Sequence, residues 1–121
     1  MPTRNLRSPL LGAVMALAAA GAAQAHAQLT SASPAPHSTG AAPSQIRLAF
    51  SEALEPKFSG FELVMADGTK MNVAVAPDPA NGKGLVGQVK GRLPAGAYKV
   101  KWHTVAHDSH RMAGAFAFTV R

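Results

Sequence analysis

The sequence predicts an all-β fold, a small Greek-key sandwich of about seven strands. Three observations predict it. From residue 26 to the end, no stretch sustains the 3.6-residue apolar period of an amphipathic helix. Runs of alternating apolar and polar residues recur instead, at a spacing of roughly ten residues. Clusters of Gly, Pro, Asn and Asp punctuate them.

The first 25 residues stand apart. Arg4 and Arg7 precede an apolar run from Leu10 to Ala20, and small residues follow. That is the order of a secretory signal peptide, and the run is too short to span a membrane, which takes roughly 20 residues. Two cleavage sites fit the small-x-small rule. Ala23-Gln24-Ala25 would release His26 as the first residue, and Ala25-His26-Ala27 would release Gln28. With residues 1–25 assigned to the leader, residues 26–121 form one domain. Removing 25 of 121 residues leaves 96, enough for a single core. Cysteine is absent, so the domain must be stable without disulfides, although export would have permitted them.

Within the domain, a short strand is expected near Gln28 to Ser31, followed by the Ser/Pro-rich loop "SASPAPHSTGAAP". In "IRLAFSE", Ile46, Leu48 and Phe50 share one face and Arg47 and Ala49 the other, which predicts a half-buried strand. "FSGFELVMADGTKMNVAVA" reads as two strands divided by a hairpin turn at Asp67-Gly68, both of which tolerate positive φ. After the loop "PDPANGKG" come the strand "LVGQVKG", a turn over Leu93 to Gly96, and the strands "AYKVKWHTV" and "AGAFAFTV". Alternation puts Tyr98, Val100, Trp102 and Thr104 in the core, with Lys99, Lys101 and His103 outside. Phe116, Phe118 and Val120 complete the core.

The formal charge is +6, and loss of Arg4 and Arg7 with the leader brings it to +4. The remaining basic residues are scattered and carry no interleaved aromatics. They read as a solvated surface, and no nucleic-acid partner is expected.

Chemistry concentrates in "HTVAHDSHRMAG". In an extended chain residues i and i+2 point the same way, so Asp108 and His110 would project together. One carboxylate and one imidazole make either half of a first-row metal site or an ordinary hydrogen-bonded pair in a polar loop. A cut after Ala25 would add His26, whose α-amine and Nδ1 can chelate a single ion. Amines with pKa values of about 7.7–8.0 and imidazoles near 6.5 give up their protons to a strongly binding metal around neutral pH. Three nitrogens and a carboxylate oxygen form a tetragonal set that favours Cu(II), with tetrahedral zinc next. Glu52 ends its strand as a solvated acid that the sandwich could bring near the Asp108 loop. His37, His103 and His107 read as surface residues, His107 being close enough to substitute as a ligand. Met65 and Met71, on either side of Asp67-Gly68, read as hydrophobic filler without a third soft ligand. Asp108, Ser109 and His110 are adjacent in sequence, which is poor geometry for a catalytic triad.

"HAQLTSASPAPHSTGAAPSQIRLAFSEALEPKFSG" and "LPAGAYKVKWHTVAHDSHRMAGAFAFTV" resemble the CopC family of periplasmic copper-resistance proteins, over essentially all of residues 26–121. The resemblance rests on the post-cleavage histidine, the "LAFSE" and "GAYKVKW" strands and the Asp-x-His before "GAFAFTV". It implies a sandwich of cupredoxin-like or immunoglobulin-like shape with one Cu(II) per chain at one end. The ligands it implies are His26, Asp108 and His110, with Glu52 as a further one. It also favours cleavage after Ala25. The role implied is that of a monomeric periplasmic copper carrier in resistance or homeostasis, not an enzyme. An inner-membrane copper transporter of the CopD type is the partner it points to. In one respect the chain departs from the family: "VMADGTKM" stands where some members have a Met-rich Cu(I) loop. Two other classes stay open. One is an oxidative copper enzyme with a histidine brace, resembling the polysaccharide monooxygenases, for which one Trp and one Tyr offer little substrate surface. The other is a metal-free adhesion or chaperone sandwich.

Overall fold

The computed structural model describes residues 27–121. The leader, its boundary at residue 25 and His26 lie outside the described residues. The strands are β1 (Leu29–Ser33), β2 (Thr39–Gly40), β3 (Gln45–Phe50), β4 (Gly60–Met65), β5 (Val73–Pro77), β6 (Gly84–Val89), β7 (Gly96–Val105) and β8 (Arg111–Val120). A 3-10 turn, Pro56–Phe58, precedes β4.

Two four-stranded sheets face each other, in the orders β1-β3-β6-β5 and β2-β8-β7-β4. Without β2, the first, second, fifth and fourth strands make one sheet and the third, sixth and seventh the other. That is the strand order of an immunoglobulin-type sandwich. The strand beyond the expected seven is β2, a two-residue segment in the Ser/Pro loop that pairs in parallel with Thr119 and Val120. Two residues are too few to leave an alternation in the sequence.

The predicted faces are observed. Ile46, Leu48 and Phe50 on β3 pack across from Tyr98, Val100, Trp102, Phe116, Phe118 and Val120 on β7 and β8, all buried. The Phe50 and Trp102 rings meet edge to face at 5.2 Å, which joins the two sheets. Tyr98, near the start of β7, donates its hydroxyl proton to the Pro94 carbonyl at 2.6 Å. This is the tyrosine corner of immunoglobulin-like sandwiches, and it locks the turn into β7.

Asp67-Gly68 makes a turn, with Gly68 at φ +92°, but the two flanking runs do not form an extended hairpin. Beyond the Val64–Lys70 bridge and the Met71 N–H to Leu63 carbonyl bond, the chain leaves β4 and crosses to the other sheet. There β5 pairs with β6. The half-buried Val73 and Val75 pack against the core from that side, and this burial outweighs the local turn preference.

Candidate metal centre

The loop from Ala106 to His110 joins β7 and β8 at one end of the sandwich. The Ser109 N–H donates to the Ala106 carbonyl at 2.9 Å, and the Ala106 N–H donates to the His110 carbonyl at 3.1 Å. Ser109 sits at φ +74°, in the left-handed region that costs a non-glycine residue energy. The reversal this creates lets one carboxylate bond twice to the same residue. Asp108 Oδ1 accepts from the His110 backbone N–H at 3.1 Å, and Oδ2 lies 2.8 Å from His110 Nδ1. The pair meets as expected, but through a turn and not through the pleat of an extended strand.

Both side chains are solvent-accessible, His110 at 53% and Asp108 at 41%. The His110 side chain, and then its backbone N–H, hold the Asp108 carboxyl below the usual aspartate range. A depressed folded-state pKa means that the contact stabilises the loop above the unfolded value and is lost as pH falls through the folded one. In a carbon-detected NMR titration of the metal-free protein, the Asp108 midpoint is therefore expected below the ordinary 3.8. His110→Ala should move it back up. A midpoint indifferent to that substitution would show that the pairing does not persist in solution.

Residues 51–59 connect this loop to the point where the chain enters the sandwich. Ala27 is fully buried. The Gln28 N–H donates to Ser51 Oγ, and the Ser51 N–H donates to the Gln28 carbonyl, both at 2.9 Å. Leu54 bridges to Ala106, and the Glu55 N–H donates to the Val105 carbonyl at 2.8 Å. Ser59 Oγ then accepts from the Val105 N–H at 3.0 Å. The start of the described chain and the Asp108 loop thus hang on one bracket.

Glu52 lies on that bracket, half-buried, with no described hydrogen bond or ion pair to Asp108 or His110. The acid that approaches the loop is Glu55, whose Oε1 is 3.7 Å from His107 Nε2. Sequence reasoning missed Glu55, which sits before Pro56 in a segment without alternation. His103 lies on the outer face beside Gly60, and His37 is exposed with its N–H bonded to the Ala117 carbonyl. Met65 and Met71 are half-buried and pack against the core, as hydrophobic filler would.

Among the described residues, no group of three or more His, Cys, Asp and Glu side chains could hold a metal ion. Asp108 and His110 supply one oxygen and one nitrogen, a donor pair that suits Cu(II) or Zn(II) and by itself completes neither coordination shell.

A family model described as the CopC domain matches residues 29–121. A protein named copper resistance protein C from Escherichia coli is 37% identical over 123 residues, covering 96% of this chain and 98% of that protein. Its namesake from Pseudomonas syringae pv. tomato is 41% identical over 108 residues, covering 82% and 83%. Among solved structures, PcoC, a methionine-rich copper resistance protein from Escherichia coli, superimposes with a TM-score of 0.75 at 40% identity. The match spans 80% of this chain and all of that one.

Proposed function

The chain belongs to the CopC domain family, and from that premise we propose that it is a periplasmic Cu(II)-binding protein of copper resistance or homeostasis. It acts as a carrier and not as an enzyme. Its relatives are named for copper resistance, which supports the metal and the physiological setting. The observation that carries the reading is the Asp108–His110 pair at 2.8 Å, on the exposed end of the sandwich to which the Gln28–Ser51 bonds also bring the chain.

In this reading the leader is removed after Ala25, and residues 26–121 form the working domain. The α-amine and Nδ1 of His26 join the His110 imidazole and the Asp108 carboxylate around one Cu(II). Asp108, like any aspartate at or below the usual range, is ionised at neutral pH, so it needs no deprotonation to accept the cation. Its bonds to His110 also limit the ring's freedom before the metal arrives, which lowers the ordering cost of binding. Glu52 is a subsidiary ligand candidate on the same bracket. The protein works as a monomer and passes copper to an inner-membrane transporter of the CopD type. The half-buried methionines of "VMADGTKM" support a single Cu(II) site without a second, Cu(I), site.

Intact-mass spectrometry of the exported protein, with and without Cu(II), tests the reading in one measurement. The expected result is a chain of residues 26–121 that gains one copper. A chain beginning at Gln28, or one that gains no copper, would overturn it.

A further inference from the structure

The outer face of the β2-β8-β7-β4 sheet carries a groove of about 550 Å³ beside the Asp108 loop. It runs from Lys57 and Phe58, in the 3-10 turn, over His103 and Val105 on β7 to Arg111 and Ala113 on β8. Two of its properties do not follow from the metal-binding reading. Phe58 leaves 62% of its surface in water, the exposed large hydrophobic side chain among the described residues. With Val105 and Ala113 it gives the groove an apolar lining. Around that lining stand Lys57, His103 and Arg111. Lys57 and Arg111 have no ion-pair partner among the described residues, whereas Arg47 is paired with Asp78 and Lys70 with Glu62.

The face continues in the same character. Lys99 and Lys101 line β7 outward next to Ala115 and Ala117 of β8, their register partners being Lys101↔Ala115 and Lys99↔Ala117. Long cations and small side chains thus stand side by side on this part of the face. Glu62 is the acid that faces it, opposite Lys101, and it is engaged by Lys70. An exposed aromatic ring flanked by two unpaired cations, Lys57 and Arg111, has the makeup of a protein interface, where charge around an apolar anchor selects the partner.

We propose that this groove is a docking site for an acidic segment of a partner protein. The occupant is a short stretch with an aliphatic side chain set against Phe58, Val105 and Ala113, and carboxylates on either side that meet Lys57, Arg111 and the β7 lysines. Arg111 directly follows His110, so on the metal reading above a partner held here lies next to the copper-binding pair. The docking proposal itself does not depend on that reading, because it uses none of the proposed ligands.

The probe is a capped pentapeptide, Glu-Glu-Leu-Glu-Glu, titrated into the mature metal-free protein and followed by amide NMR shifts. Shifts are expected at residues 57–58, 103–105 and 111–115. The all-glutamine analogue of the peptide should bind at least tenfold more weakly, as should the variant with Lys57→Glu and Arg111→Glu. A control with Lys83→Glu and Lys90→Glu, which changes net charge by the same amount away from the groove, should bind like the parent. Phe58→Ser should lose the apolar share of the affinity while its spectrum reports an intact fold. The proposal is overturned if the control weakens binding as much as the groove variant does, since net charge would then be the cause. Shifts scattered over all lysines, or no binding at millimolar peptide, would also overturn it. So would concentration-dependent dimerisation that occupies the groove in place of the peptide.

Discussion

Placing Gly-Pro ahead of His26 in the mature protein is expected to weaken Cu(II) binding by about a thousandfold, roughly 4 kcal/mol, while leaving the fold intact. The proposed site draws two of its donors from one residue, the amine and Nδ1 of His26. Moving the amine two residues away breaks that chelate ring. The proline nitrogen carries no proton to lose, so the new terminal amine cannot be linked to His26 through successive ionised amide nitrogens, as it could be through an ordinary residue at that position. The fold should tolerate the change because the described contacts of the chain start begin at Ala27 and Gln28, and the Gln28–Ser51 bonds remain. Competition against a copper chelator reads the affinity, and a thermal melt reads the fold. An unchanged affinity would remove the α-amine from the ligand set and with it the proposed His26 chelate.

The same comparison shows which physical signals the sequence carries. Strand faces were legible because each face has one fate: Tyr98, Val100, Trp102 and Thr104 are buried while Lys99, Lys101 and His103 are exposed. The Asp108–His110 contact was legible for a less direct reason. An i, i+2 pair can meet in a strand or across a tight turn, and here Ser109 at φ +74° supplies the turn. Where two forces compete, the sequence is ambiguous. Asp67-Gly68 has strong hairpin chemistry, yet the chain after it joins the other sheet, because Val73 and Val75 gain burial against β6 that a longer hairpin on β4 would forgo. The association of Glu55 with His107 depends on the Leu54–Ala106 bridge between residues 52 positions apart, which no local pattern encodes. The two strongest sequence signals for copper, His26 and the proposed cut before it, belong to processing and not to folding, so the sandwich by itself does not decide them.

Gly114→Val is expected to destabilise the sandwich strongly, for a reason that strand periodicity hides. Gly114 lies within the run that supplies Phe116 and Phe118 to the core, where a β-branched residue would suit the strand better. The register places it directly opposite Trp102, and a Cβ built on Gly114 would lie 2.5 Å from Trp102 Cζ2 and 2.8 Å from Cε2. Those atoms belong to a rigid ring that already packs edge to face with Phe50 at a centroid separation of 5.2 Å, which limits how far the indole can shift. Overpacking of this kind costs about 1–3 kcal/mol for the first added carbon. Alanine should therefore lower the melting temperature by roughly 4–8 °C for each kcal/mol lost in a domain of this size, and valine should lower it further. The decisive measurement is a double-mutant cycle by chemical denaturation. Trp102→Leu alone should destabilise through the cavity it leaves, but combined with Gly114→Ala it should cost clearly less than the two single losses added together, because the added methyl then enters vacated space. Strict additivity would mean that Trp102 and Gly114 do not share that space. It would also remove the steric reason for a glycine in the middle of the longest strand pair of the sheet, the pair that carries the Asp108 loop at its end.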